Sequence, residues 1–123
     1  MTITAVQAGN VIDSSAVATI ASRDVVGIGN IIVVALGDIA NGATGSVATR
    51  GVFTVPKVSG AVIAQGEKLI WDISANTNAG AFDDSAASPA TGDVTGGAIA
   101  WVAGTDGQTT CTIKLTPGNA TIT

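Results

Sequence analysis

Runs of Val, Ile and Thr broken at short intervals by glycine set the limits on what this chain can fold into. Sixteen glycines interrupt it, and β-branched residues dominate between them. No stretch repeats apolar side chains at i, i+3, i+4 and i+7 between a capping box and a C-terminal glycine, the pattern an amphipathic helix needs. Short β-branched runs bounded by Gly, Asn-Gly and Pro-Gly predict short strands joined by tight turns. The expected fold is all-β, a small β-barrel or sandwich of roughly seven to nine short strands. At 123 residues it is expected to form one domain.

The strands are placed by their side-chain pattern. Asp24 to Gly29 reads as a short strand into a Gly-Ile-Gly turn, and Asn30 to Leu36 as a buried strand, because its apolar run is unbroken. Asn41-Gly42 marks a tight turn. Ser46 to Val55 alternates as one strand, with Val47, Thr49, Gly51, Phe53 and Val55 on one face and Ala48, Arg50, Val52 and Thr54 on the other. Pro56, which lacks an N–H, then marks a strand end or a sheet edge. Leu69, Trp71 and Ile73 share a face opposite Lys68, Ile70 and Asp72, and Ala98 to Ala103 forms a strand around Trp101. Cys111 falls with Thr109, Ile113 and Leu115 on the inward face of a strand from Gln108 to Leu115, an inert core position. The segment 74–97 is rich in Ala, Asn, Ser, Gly and Asp and reads as a long loop, with a short strand near Ala81-Phe82.

Residues 1–22 stand apart from the body at 23–123. They carry one charge, Asp13, amid Thr, Ser, Ala, Val and Ile. This composition suits an extended arm that pairs as a strand and contacts a partner through Ile3, Val6, Val11, Ile12, Val17 and Ile20. Phe53, Leu69, Trp71 and Trp101 are the expected anchors of the core or of a subunit interface. The first residues have no basic region and no unbroken apolar core, so no secretory signal is expected. The longest apolar run, Ile31 to Leu36, is far short of the ~20 residues that cross a bilayer. No membrane partner is expected.

Charge narrows the function. Asp, Glu, Lys and Arg make up 11% of the chain, against about 25% in ordinary globular proteins. Either Ser, Thr and Asn coat the surface or other subunits cover it, and the expectation is a mixture weighted toward subunit contacts. The net charge is −4 and the five cations are scattered. Nucleic-acid affinity comes from neutralised phosphates, so no direct nucleic-acid binding is expected. Histidine is absent and there is one cysteine. A Ser-His-Asp or Cys-His site and an ordinary structural zinc site are therefore excluded within one chain. Gly27-Ile28-Gly29 opens like a dinucleotide fingerprint but lacks the third glycine and the following helix. Asp83, Asp84 and Asp93 read as a solvated acidic loop, since the EF-hand spacing is not met. No catalytic residue, cofactor or metal is expected.

Several segments, in order, resemble a family of small tailed-phage capsid decoration (cement) proteins. Val6-Gln7-Ala8-Gly9-Asn10-Val11-Ile12 is similar to the family's opening, and Val25 to Ala35 to the apolar segment that follows it. The stretch Ile39 to Val47 resembles its Ala/Gly turn. Gly51-Val52-Phe53-Thr54-Val55-Pro56-Lys57 and Gly66-Glu67-Lys68-Leu69-Ile70-Trp71-Asp72 resemble its two central strands, with Ile70 where an aromatic is usual. Gly97 to Val102 and Thr112 to Leu115 resemble the closing pair. The enlarged 74–97 segment and the Pro-Gly ending depart from the pattern. The resemblance implies a β-tulip-like fold similar to that of the phage lambda head-decoration protein, and no enzymatic activity. It further implies a homotrimer on the outer surface of the virion capsid at three-fold or local three-fold positions. The implied partners are the major capsid protein and neighbouring decoration subunits, with synthesis in the host bacterial cytoplasm. The alternative reading is a virion-surface glycan-binding or adhesion module built on Trp71 or Trp101.

Overall fold

The computed structural model describes residues 11–15, 19–28 and 31–123. Of the residues expected to make contacts, Ile3, Val6 and Val17 lie outside this set, as do Gly29 and Asn30 of the expected Gly-Ile-Gly turn. The described residues form ten strands and one short turn of helix: β1 Val11–Ser15, β2 Val25–Ile28, β3 Ile31–Ala35, β4 Thr44–Ala48, β5 Val52–Pro56, β6 Lys68–Asp72, α1 Ala75–Asn78, β7 Ala81–Asp83, β8 Val94–Ala100, β9 Thr110–Leu115 and β10 Thr121–Ile122. The all-β expectation holds. In α1, Asn76 and Thr77 have left-handed dihedrals, so it is a tight turn rather than a regular helix.

Two sheets share the strands. The first runs β1-β4-β3-β2 and the second β5-β9-β8-β6-β7, with β10 pairing the opening of β8. Every ladder is antiparallel. The second sheet curls. Just past β5 the chain reaches β7, where Lys57 bridges Phe82 in parallel and the Val58 N–H donates to the Phe82 carbonyl at 2.9 Å. The Lys57 ammonium is buried at this seam. It donates to the carbonyls of Val58 (2.8 Å), Gln108 (3.2 Å) and Ser59 (3.5 Å), which supply the polar contacts that a buried cation requires.

The main core fills the curl. It gathers Val55, Leu69, Trp71, Phe82, Val94, Ala98, Cys111, Ile113 and Leu115, together with Ile32 and Val34 from the first sheet. Trp71 and Phe82 meet at 4.8 Å between ring centroids, tilted by 59°, a favourable aromatic geometry. A smaller cluster of Val33, Ile39 and Val47 lies across β3, with Ile12, Ile20, Val26 and Ile31 packed around it. Successive side chains of a strand point to opposite faces. β3 therefore feeds Ile32 and Val34 to one core and Val33 to the other, which is why its apolar run is unbroken. The two sheets meet where β3 crosses β8. A side chain at Gly97 would come within 2.5 Å of Ile32 Cγ1, so only a bare backbone fits there.

Four sequence expectations are corrected. The alternating stretch 46–55 is two strands in different sheets. Gly51, at φ +129°, turns the chain between β4 and β5. The segment 74–97 contains β7, as expected, but also the first half of β8, whose Gly96 and Gly97 are buried. Ile73 lies beyond β6 and is exposed, while Ile70 is buried. Asp93 is buried rather than solvated. Its carboxylate accepts the N–H groups of Ile73 (3.1 Å) and Ala90 (2.9 Å), so it ends β6 and holds the turn into β8.

Replacing Leu69 with Ala is expected to cost about 2–5 kcal/mol, the range for opening a cavity in a packed core. Val11→Ala on the exposed side of β1 is expected to stay within about 0.5 kcal/mol. Urea unfolding of both variants checks this, and equal losses would remove the curled sheet as the seat of stability.

Candidate docking surfaces

The titratable groups of the interior are spent on structure. Lys57 closes the sheet seam and Asp93 ties two turns. The Cys111 thiol is buried near Lys57, and desolvation pushes its pKa up to about 11, only partly offset by the Lys57 charge. Such a thiol is a poor nucleophile, because the thiolate is the reactive form. Among the described residues no three His, Cys, Asp or Glu side chains converge to hold a metal ion, and no helix is long and apolar enough to cross a membrane. A groove of about 480 Å³ beside β5 is lined by Ser22, Arg23, Val34, Leu36, Val52 and Phe53. It presents one cation and no acid or base to act with it.

What the fold does present is surface. On the outward face of the curled sheet the registers set Val52 opposite Lys114, Lys114 opposite Ile99, and Ile99 opposite Lys68. Thr54 and Thr112 form the next rung. Just past β8 the Trp101 N–H donates to the Thr112 carbonyl at 2.9 Å, which holds the indole beside this face. Trp101 is 46% exposed and Val52 49%. The Lys114 ammonium stands 5.8 Å from the centre of the Trp101 ring, a cation–π contact of about 0.5–1 kcal/mol at an exposed site. The face is thus apolar and hydroxyl-bearing, with cations only along its rungs. A second candidate surface is β1, among the described residues the last strand of its sheet, where β4 pairs one side.

The four expected anchors separate. Leu69 and Trp71 are core residues, Trp71 being 4% exposed. Phe53 is half-buried and packs against the core. Trp101 alone of the four is free for a partner. In the arm, Val11 is exposed while Ile12 and Ile20 turn into the smaller cluster. Ile12 lies opposite Val47, and Ile20 bridges Ile39. Val52 and Lys114 were not singled out from the sequence as surface residues. Their signal was there: each lies on the polar side of an alternating strand.

A model of a protein family described as phage cement protein matches residues 6–115. The chain belongs to the phage cement protein family. The match spans both sheets from the arm through β9 and leaves only β10 beyond it. No curated protein and no solved structure matches the chain. Membership makes this a structural phage protein associated with the capsid, in a family that is not one of enzymes.

Burial of Cys111 gives a chemical readout of the fold. A water-soluble disulfide reagent at pH 8 is expected to leave the folded protein unlabelled and to label one thiol per chain in urea. Rapid labelling of the folded protein would mean that the β5–β9 pairing opens readily. The pH dependence has a definite sign. An unfolded thiol ionises near 9.0 and the folded one near 11. The thiol's contribution to stability is therefore complete below pH 9 and falls as pH rises from 9 to 11. Urea midpoints across that range check it, with Cys111→Ala as the variant lacking this component.

Proposed function

We propose that the protein is a decoration subunit that binds the outer surface of the expanded phage head as a homotrimer at three-fold or local three-fold positions. There it ties neighbouring capsid subunits together against the pressure of packaged DNA. The observation that carries this reading is the cement-family match over residues 6–115. The surface supports it: exposed Val52, Trp101 and Val102 offer apolar area to a neighbour. Holding a shell needs no reaction, only interfaces on the order of 1,000 Å² or more. A trimer that touches several capsid subunits at once gains strength from effective concentration, because each further contact becomes intramolecular.

In this reading residues 1–22 serve as the arm that engages the major capsid protein. Among the described residues β1 is an end strand, and its side away from β4 is where one more strand would add. Strand addition takes its affinity from main-chain hydrogen bonds, which suits an arm with almost no charge. The subunit would be made in the bacterial cytoplasm and join the head after expansion. The acidic residues around Asp83 and Asp84 would help keep decorated particles apart.

Mixing the purified protein with expanded, undecorated heads and imaging the particles tests the proposal. Density is expected on the outside of the shell at three-fold positions. Bare heads, or density inside the shell, would refute the decoration role. Deleting residues 2–20, which removes β1 with the rest of the arm, is expected to weaken head binding tenfold or more. Unchanged binding would remove the arm from the mechanism.

A further inference from the structure

The groove beside β5 runs along a free sheet edge. β5 pairs β9 on one side and opens the strand order of the curled sheet, so among the described residues its other side carries no ladder. The Gly51 carbonyl accepts the Leu115 N–H at 3.0 Å, and the Lys57 N–H donates to the Thr109 carbonyl at 2.8 Å. Gly51 and Lys57 thus turn main-chain groups toward β9, and so, at every second position between them, do Phe53 and Val55. Val52 and Thr54 turn their N–H and C=O groups the other way, where neither has a main-chain partner among the described residues. The seam with β7 closes only further on, at Lys57 and Phe82. Pro56, which has no N–H, ends the free edge.

The rest of the groove matches that edge. Buried Val34 and Ala35 and half-buried Phe53 form its floor, and exposed Leu36 and Val52 flank it. Its volume of about 480 Å³ falls within the roughly 300–1,000 Å³ of ligand sites. Arg23 is the one charged residue among those that line it. Its backbone lies in the left-handed region, at φ +71°, which is uncommon for a residue other than glycine. The strained turn is pinned to β3: the Arg23 N–H donates to the Ala35 carbonyl at 2.8 Å, and the Ala35 N–H to the Asp24 carbonyl at 2.9 Å. The nearby carboxylates of Asp24 and Asp38 accept the N–H groups of Ala21 (3.0 Å) and Ser22 (2.8 Å). They hold the same turn and do not line the groove. Among the described residues Arg23 has no ion-pair partner.

We propose that this groove takes an extended, acidic segment of the capsid surface as an added strand. This rests on the decoration reading above and adds a second grip to that of the arm. Strand addition draws affinity from main-chain hydrogen bonds and specificity from sites for alternate side chains. Here Val52 and Thr54 supply the bonds, the floor takes an apolar side chain of the incoming strand, and the Arg23 guanidinium pairs with its carboxylate. A basic segment would set its charge against Arg23. Residues 2–10 of this chain contain no carboxylate side chain, so charge complementarity favours a segment of the partner over the chain's own arm.

Dye-labelled peptides with blocked ends, followed by fluorescence anisotropy on the full chain, test the groove. One, of about six residues, the usual strand length, alternates Val and Thr around a central Asp. A second has Lys in place of that Asp, and a third reproduces residues 2–10. The Asp peptide is expected to bind about tenfold tighter than either of the others. Thr54→Pro removes an edge N–H that β9 does not use, and Phe53 before it is already extended, as proline requires. It is expected to weaken the Asp peptide about tenfold, whereas Thr54→Ala leaves binding unchanged. Arg23→Glu is expected to reverse the preference toward the Lys peptide. Protection of Cys111 from labelling shows that each variant is folded, and if Thr54→Pro fails that check, Arg23→Glu decides. Equal binding of the Asp and Lys peptides, or tighter binding of residues 2–10, overturns the proposal. The same variants are then mixed with expanded heads and co-sedimented, with about a tenfold loss of head affinity expected for Thr54→Pro and Arg23→Glu. Undiminished head binding by the folded variants overturns the proposal and leaves the decoration role standing. A parent chain that takes the Asp peptide but binds no heads refutes the decoration role, and with it the capsid as source of the segment, but not the strand-binding groove.

Discussion

The contact of Ile32 with the bare backbone of Gly97 joins the two halves of this protein. Among the described residues the sheets share no ladder, and what unites them there is side-chain packing where β3 lies against β8. Gly97 makes the approach close enough for Ile32 and Val34 to enter the core of the curled sheet. That in turn leaves Val33 for the second cluster and gives β1, β2 and β4 an apolar floor to rest on. A methyl group at 97 would push Ile32 away and uncouple the arm-bearing sheet from the body. Close packing of this kind transmits position. β1 is thereby packed, through β4 and β3, onto the sheet that leads to Trp101.

The scarcity of charge acts at two levels. In the interior the few ionisable groups are used as clasps. Lys57 spans three carbonyls at the seam, and Asp93 takes the N–H groups of Ile73 and Ala90. Each replaces an ion pair with main-chain dipoles, which satisfy a buried charge without burying a second one. On the exterior, threonine hydroxyls and exposed Val and Trp side chains occupy positions where a monomeric protein would place Lys and Glu. A surface of that kind loses little when covered, because fewer ions must be stripped of water. It suits a subunit whose work is adhesion.

The fold was legible where the strand pattern acts alone. β9 alternates with Cys111, Ile113 and Leu115 inward as read, although Thr109, expected inward, lies before the strand and is exposed, and the unbroken run of β3 meant burial on both faces. It was not legible where a glycine could mean either of two things. Gly51 fits the alternation of 46–55 and so passes for a strand residue, although its positive φ ends one sheet and begins another. Gly96 and Gly97 look like loop, yet they are buried strand, because the Asn119 backbone presses on the first and Ile32 of β3 on the second. Trp71 and Trp101 each follow an apolar residue near the end of a predicted strand. Only the packing partners, Phe82 for one and Lys114 for the other, assign the first to the core and the second to the surface. The candidate surface was half legible for the same reason. Its residues alternate visibly within each strand, but which strands lie side by side is a matter of topology.

That topology also accounts for the asymmetry of the outer surface. Strand order β5-β9-β8-β6-β7 takes segments distant in sequence and ranks them across one curved sheet. Arg50 and Lys114 lie more than sixty residues apart in the chain and line one groove. Asp83 ends β7, the last strand in that order, which the Lys57–Phe82 bridge returns to the end of β5. A net charge of −4 says nothing of this sorting. Which charges lie beside the exposed Val52 and Trp101 is therefore set by strand order and not by overall charge.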